Sequence, residues 1–186
     1  SNAMAEPTAP SDRSDPAGAR TLVLMRHAAA GSAVRDHDRP LTPDGVRAAT
    51  AAGQWLRGHL PAVDVVVCST AARTRQTLAA TGISAQVRYR DELYGGGVDE
   101  ILAEVAAVPA DASTVLVVGH APTIPATGWE LVRQSLLNRD ADPSSGAGDE
   151  LRHFAAGTFA VLSTTGAWAD LAQAGAELQL VQHPVA

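Results

Sequence analysis

The chain has 186 residues, which corresponds to one domain or one domain with a tail, and is long enough to bury a sizeable core. Its net charge of −6 argues against a protein that binds nucleic-acid backbones, and its composition, 46% hydrophobic and 18% charged, is ordinary for a globular protein. All 14 basic residues are arginine, which excludes chemistry on a lysine amine. An anion site would therefore use guanidinium, imidazole or backbone N–H groups.

Residues 1–20 are predicted to lie outside the folded domain, which would span residues 21–186. Ser1 to Ala3 before Met4 resemble a cloning scar, and residues 4–20, rich in Pro, Ala, Ser and Asp, are typical of a flexible tail. No apolar run approaches the roughly 18 residues that cross a bilayer. The single cysteine, Cys68, excludes an intrachain disulfide and fits a reducing compartment, so a cytoplasmic protein is expected.

Three near-continuous apolar runs, 21–25, 64–68 and 114–118, predict strands that are buried on both faces. Helical patterns separate these runs, which is typical of a mostly parallel sheet covered by helices on both sides. We therefore expect an α/β fold, a three-layer α/β/α sandwich with a mostly parallel central sheet.

The remaining elements follow from periodicity and from breaker residues. Thr42 is predicted to cap a helix that runs to about residue 58, and Ser69 or Thr70 to cap a helix over about 71–80 that Gly82 ends. Residues 138–150 have the composition of an exposed, mobile loop, which could serve as a lid. The other predicted elements are a short strand at 86–90, a helix from Val98 to before Pro109, a helix to about 137, and strands at 158–162 and 178–182.

Polar residues that suit phosphate follow each of the three strong strands. The first strand is followed by Arg26 and His27, the second by Arg73 in a first helical turn, and the third by His120. Ligands in open α/β sheets bind beyond the carboxyl ends of the strands, so these four side chains should converge. Arginine donates in pairs to phosphate oxygens, and a helix N-terminus also favours an anion.

Two histidines add a covalent route to this predicted site. A neutral imidazole is a nucleophile at neutral pH and can accept a phosphoryl group, while a second, protonated imidazole can donate to the transferring group. These residues suffice without a metal or a cofactor, and none is expected. A zinc site on His27 and His120 is the alternative, but no cysteine or carboxylate pattern supports it.

Three motifs in order carry a family resemblance over about residues 21–185. Leu24–Ala28 resembles the Arg-His-Gly signature of the histidine phosphatase superfamily, the phosphoglycerate mutase-like proteins. Residues 68–77 are similar to the second motif of that family, and Val118–Pro122 to its Gly-His-Asn-Pro motif. Ala28 and Ala121 depart from the usual Gly and Asn. The short chain and the run Arg39–Thr42 resemble the SixA-like phosphohistidine phosphatases within the family.

The resemblance implies a role for each matching residue. His27 would be the phosphorylated nucleophile, and Arg26, Arg73 and His120 would bind the phosphoryl group. Arg39 would be a further phosphate contact. Glu92 stands near the place of the family's catalytic acid and is the candidate for that role, although a glutamate before a loop is commonly only solvated.

The hypothesis from the sequence is a phosphatase that acts on a phosphohistidine protein through a phosphohistidine intermediate. One alternative keeps the fold and hydrolyses a small phosphorylated metabolite. Another is a phospho-ligand binding module without catalysis, and a mutase is disfavoured because the chain has little covering structure. The expected partner is a phosphorylated protein or metabolite, with no nucleic acid and no membrane. The sequence does not indicate an oligomeric state.

Overall fold

A six-stranded sheet forms the centre of the structure, a computed structural model that describes residues 18–184. In chain order the strands are β1 (Arg20–Arg26), β2 (Val65–Ser69), β3 (Gln86–Arg90), β4 (Thr114–Gly119), β5 (Phe159–Thr164) and β6 (Glu177–Gln182). Their spatial order is β3-β2-β4-β1-β5-β6. The neighbours β3, β2, β4 and β1 pair in parallel, while β5 pairs antiparallel with both β1 and β6. The predicted mostly parallel sheet is confirmed.

Helices cover both faces of this sheet. They are α1 (Pro43–His59), α2 (Ala72–Thr81), α3 (Glu92–Gly95), α4 (Val98–Ala106), α5 (Thr123–Asn138) and α6 (Leu171–Ala174). Alternate residues of β1 enter two separate hydrophobic clusters, Leu22 and Leu24 in one and Val23 and Met25 in the other. Because successive strand residues point to opposite faces, these two clusters are the two helix–sheet layers of the predicted three-layer fold.

Of the three helix caps predicted for α1 and α2, two are confirmed and one is wrong. The hydroxyl of Thr42 accepts a hydrogen bond from the N–H of Gly45 at 3.0 Å, so it caps α1 as expected. Gly82 ends α2 in the left-handed conformation, with a φ of 68°. Neither Ser69 nor Thr70 caps α2, because the helix begins at Ala72 and its N-cap residue is Ala71. Ser69 still belongs to β2, and its hydroxyl contacts the imidazole of His120.

The first strand starts one residue before the predicted start of the domain. The first strand begins at Arg20, whose side chain is buried and donates to the carbonyl of Gly166 at 2.9 Å. Residues 1–17 of the predicted tail lie outside the described residues. Between residues 138 and 150 the chain is largely exposed and irregular up to a 3₁₀ turn at Asp149–Arg152, as the composition predicted. No helix among residues 18–184 is long and apolar enough to cross a membrane.

Candidate active site

The four residues predicted to converge do so at the carboxyl edge of the sheet. The parallel register of β1 and β4 places Arg26 opposite Gly119, and the N–H of His27 donates to the carbonyl of Gly119 at 2.9 Å. His120 follows β4 directly, so the two imidazole rings lie with their centroids 5.4 Å apart. Arg73 comes from the first turn of α2. We call Arg26, His27, Arg73 and His120 the strand-end cluster.

The backbone around His27 fixes the ring and its tautomer. Nδ1 of His27 lies 2.7 Å from the carbonyl oxygen of Ala28, and since a carbonyl only accepts, Nδ1–H donates. The N–H of Ala28 in turn donates to the buried hydroxyl of Thr77 at 3.0 Å. The carbonyl of His27 accepts from the N–H of Gly157 at 2.8 Å. In the neutral imidazole the lone pair therefore lies on Nε2, the arrangement that a nucleophile needs.

The surroundings of His27 also keep its imidazole neutral. Burial lowers its pKa from the ordinary value of 6.5 to about 4, helped by the positive charges of Arg73 and Arg26 and opposed by the hydrogen bond to Ala28. The residue is only 7% exposed. At neutral pH the ring therefore carries no proton on Nε2 and can attack phosphorus directly.

The ring of His120 is neutral in the structure, whereas the donor role predicted from the sequence requires a protonated ring during transfer. Burial, then the charge of Arg73 and the proximity of His27, lower the pKa of His120 to about 4, so its ring is neutral at pH 7. Its Nε2 lies 2.9 Å from the hydroxyl oxygen of Ser69, which holds the ring from the end of β2. A phosphoryl anion beside the ring would oppose these effects, because an adjacent negative charge favours the protonated form.

Unpaired polar nitrogen atoms are concentrated in the strand-end cluster. Among the described residues, five buried side-chain nitrogen or oxygen atoms have no hydrogen-bond partner, and three of them are Nε of Arg26, Nε of Arg73 and Nδ1 of His120. Arg26 is meanwhile held by its Nη1, which donates to the carbonyl of Phe154 at 3.0 Å. Buried polar atoms without partners are costly, and a group of them requires an explanation such as a ligand. An anion would satisfy the two Nε–H groups directly, and Nδ1 of His120 as well once this nitrogen carries a proton.

A second group of residues, from the segment before α1 and from α3, flanks the cluster. The carboxylate of Asp36 accepts from Nη2 of Arg73 at 3.1 Å, from Nη1 of Arg39 at 3.2 Å and from the hydroxyl of Tyr94 at 2.7 Å. We call Asp36, Arg39 and Tyr94 the loop network. Arg39 was expected near the phosphate from the sequence, and its charge contributes to the lowered pKa of His27.

Aromatic contacts join the loop network to the strand-end cluster. The ring of Tyr94 lies edge-to-face with the rings of His120 and His37, at centroid distances of 5.7 and 4.8 Å. The sequence indicated no role for Tyr94 or for His37. The single available signal was that Asp36 and His37 lie three and two residues before Arg39 in a charged stretch.

Two residues that the sequence singled out lie apart from this arrangement. Glu92 is exposed at the start of α3, and its carboxylate lies 3.5 Å from Nε of Arg90. Within residues 18–184 it makes no hydrogen bond to the strand-end cluster, so its role as an acid stays a prediction. Cys68 is buried in β2, where burial raises the pKa of its thiol to about 12, so it is a core thiol and not a nucleophile.

The surroundings of the cluster offer few groups for a cation. No set of three His, Cys, Asp or Glu side chains in the described part of the chain is placed to hold a metal ion. A cavity of about 330 Å³ lies elsewhere, along α5, and its lining includes Pro125, Trp129 and Leu151 but no member of the strand-end cluster.

A mostly parallel α/β/α sheet with two histidines and two arginines at its strand ends defines a phosphatase of the phosphoglycerate mutase-like class. Consistent with this, residues 22–94 match the sequence profile of the histidine phosphatase superfamily (branch 1). An uncharacterised protein of Mycobacterium tuberculosis is 45% identical over 149 residues, which cover 79% of this chain and 91% of that protein. The chain belongs to the histidine phosphatase superfamily.

Solved structures place the chain near the SixA proteins. It is similar to a SixA protein from Agrobacterium tumefaciens, with a TM-score of 0.69 and 28% identity over 89% of this chain and 99% of that one. It also shares its fold with the protein histidine phosphatase SixA complexed with tungstate, at a TM-score of 0.67 and 24% identity over 88% of this chain and 97% of that one. The resemblance to SixA-like proteins that the sequence suggested is confirmed.

Proposed function

We propose that the protein hydrolyses phosphohistidine on a protein substrate, through a phosphohistidine intermediate on His27. The observation that carries the proposal is the unprotonated Nε2 of His27, in one cluster with the unpaired Nε donors of Arg26 and Arg73 and the unpaired Nδ1 of His120. The similarity to the SixA proteins supports the choice of substrate.

In the first step Nε2 of His27 attacks phosphorus and forms an N–P bond. The bond between phosphorus and the substrate imidazole breaks, and its electron pair stays on the departing nitrogen, which takes a proton from solvent. Arg26, Arg73 and Arg39 bind the phosphoryl oxygens, and Nδ1 of His120 donates to the same group. Phosphoryl transfer depends mainly on such positioning and charge stabilisation.

In the second step a water molecule attacks the phosphorus of the phosphoenzyme. The N–P bond breaks, its electron pair returns to Nε2 of His27, the proton of the water passes to solvent, and orthophosphate leaves. The hydrogen bond from Nδ1–H to Ala28 is kept throughout, so His27 returns in the same tautomer. The first step requires no carboxylic acid to protonate the leaving group, because an imidazole leaves more readily than an alkoxide.

The proposal is tested by comparing turnover of a phosphohistidine peptide with a panel of sugar and nucleotide phosphates. We expect the peptide to be the better substrate and His27→Ala to lower its turnover by about 10⁴-fold or more. The phosphoenzyme should be acid-labile and base-stable. His59→Ala is the matched control, because this exposed histidine lies at the last residue of α1, stacked on Trp55.

Three results would contradict the proposal. Full activity of His27→Ala would exclude the covalent intermediate on this residue. Preference for a sugar or nucleotide phosphate would identify a metabolite phosphatase, and tight phosphate binding without turnover of any substrate would indicate a binding module.

A further inference from the structure

Asp36 is the one acidic side chain that joins the loop network to the strand-end cluster among the described residues. Both of its carboxylate oxygens are used: Oδ2 accepts from Arg73 and Tyr94, and Oδ1 accepts from Arg39. These partners come from the start of α2, from α3 and from the loop before α1. A single carboxylate therefore ties three separate segments together beside the phosphoryl site.

The bonds to Asp36 determine which donors of Arg73 remain available. Nη1 of Arg73 donates to the backbone carbonyl of Asp36 at 2.9 Å, and Nη2 donates to its carboxylate. Nε of Arg73 is left without a partner. Because a guanidinium is planar and rigid, two bonds on its far side also fix the direction of the third N–H.

Arg39 is held by a comparable pair of bonds. Its Nε donates to the carbonyl of Gly31 at 2.8 Å, and its Nη1 donates to Asp36. The loop that carries both residues is itself closed by the N–H of Gly31, which donates to the carbonyl of Pro40 at 2.7 Å. Asp36 thus restrains Arg39, and the loop that carries both residues is itself closed by the bond between Gly31 and Pro40.

We infer that Asp36 is a positioning residue, which holds the guanidinium groups of Arg73 and Arg39 in the orientation that binds the phosphoryl group. This inference rests on the proposed function of the strand-end cluster as a phosphoryl site. Asp36 touches no reacting atom in this scheme and acts only through the two arginines. Its hydrogen bonds from Tyr94, Arg39 and Arg73 keep the pKa of its carboxyl well below the usual range, so it stays charged.

A carboxylate beside two arginines could instead act as an internal anion that competes with phosphate. Two observations favour positioning. Nη1 of Arg73 bonds the backbone of Asp36, which a competing anion would not require, and Nε of both Arg26 and Arg73 remains unpaired although Asp36 is in place. The two possibilities predict opposite signs for the same substitution, so one experiment separates them.

The test is the dissociation constant of inorganic phosphate, measured by calorimetry, in Asp36→Asn and in the wild-type chain. An amide has one acceptor oxygen, so it cannot serve Arg39 and Arg73 from two oxygens at once. We expect binding to weaken by about tenfold or more, the KM to rise similarly, and kcat to change less. Tighter or unchanged phosphate binding would overturn the inference, and tighter binding would identify an internal competitor.

Asp38→Asn is the matched control for the change in charge. Asp38 lies on the same 3₁₀ turn, Asp36–Asp38, and its carboxylate lies 3.7 Å from Nε of the exposed Arg35. The Asp38→Asn substitution removes one negative charge close to the position of Asp36, and it leaves the hydrogen bonds to Arg73 and Arg39 in place. We expect less than about a twofold change in phosphate binding, and an equal weakening in both variants would contradict positioning by Asp36.

The role of Asp36 can be tested even if Asp36→Asn does not fold or the protein does not hydrolyse phosphohistidine. Tyr94→Phe removes one of the three side-chain bonds to Asp36 and should weaken phosphate binding by a few fold with little effect on folding. An unchanged affinity in that variant would count against the inference even if Asp36→Asn failed to fold. Because phosphate binding is measured in the absence of turnover, failure to hydrolyse phosphohistidine leaves this result interpretable.

Discussion

The strand-end cluster and the loop network sit side by side, but they are held in different ways. Arg26 and His27, at the end of the buried strand β1, donate to the backbone carbonyls of Phe154 and Ala28. Arg39 and Tyr94 are held by the side chain of Asp36, between segments that are partly or fully exposed. The nucleophile is therefore fixed by the sheet, whereas part of the anion site depends on one carboxylate.

The largest effect that this comparison predicts, after removal of His27, is from Arg73, which belongs to the cluster and also contacts the network. Arg73→Gln removes a buried positive charge at the phosphoryl site and should lower kcat/KM by about 10² to 10³-fold. Steady-state kinetics with a phosphohistidine peptide measure this loss in kcat/KM.

Arg75→Gln is the control for this substitution. Arg75 lies on the same helix but is exposed and stacks over the ring of Tyr89, with Cζ 4.2 Å from its centroid. We expect less than about a twofold change. Similar losses in the two variants would show that the effect of Arg73 comes from the helix and not from its place in the cluster.

The same division explains what the sequence could predict. The apolar runs determine β1, β2 and β4, and parallel strands end at one edge, so Arg26, His27, Arg73 and His120 follow from local pattern and fold class. The end of α2 was also predictable, because Gly82 adopts a positive φ that suits glycine.

The loop network could not be predicted in the same way. Asp36 lies in a charged stretch that is typical of a solvated loop, and its partner Tyr94 is 58 residues further along the chain. Tyr94 belongs to α3, a helix of four residues that has too few positions to show a period and ends at the first of three glycines. The hydroxyl of Ser69 suits a helix cap, which the sequence predicts, but in the structure it contacts His120 instead.

A smaller effect concerns the pH dependence of stability between pH 4 and 6.5, which should arise mainly in the cluster, because Asp36 has a lowered pKa and contributes chiefly below this range. His27 and His120 have folded-state pKa values of about 4, below the ordinary value of 6.5. As the pH falls from about 6.5 to 4, the unfolded chain binds protons that the folded chain does not. The free energy of unfolding therefore falls over this pH range, by on the order of 2 kcal/mol for each imidazole. Above pH 6.5 the two imidazoles make their whole contribution to stability.

Denaturant titrations between pH 4 and 7 measure this dependence. His120→Asn removes one of the two groups and should make the fall in unfolding free energy less steep, while His59→Asn, at an exposed position on α1, should leave it as in the wild type. An equally steep fall in His120→Asn and wild type would show that the buried imidazoles do not determine it.

The smallest effect separates two adjacent hydroxyls at the end of β2. Ser69 is fully buried and contacts Nε2 of His120 at 2.9 Å, whereas Thr70 is half-buried and contacts Nε2 of His37 at 3.0 Å. Ser69→Ala leaves a histidine of the cluster free to turn, so we expect kcat to fall about tenfold with little change in KM. Thr70→Val acts on a residue beside the loop network and should change kcat by about twofold at most. If the two variants lose equal activity, the sheet edge does not hold the cluster more firmly than the loops hold their network, and the division between them fails.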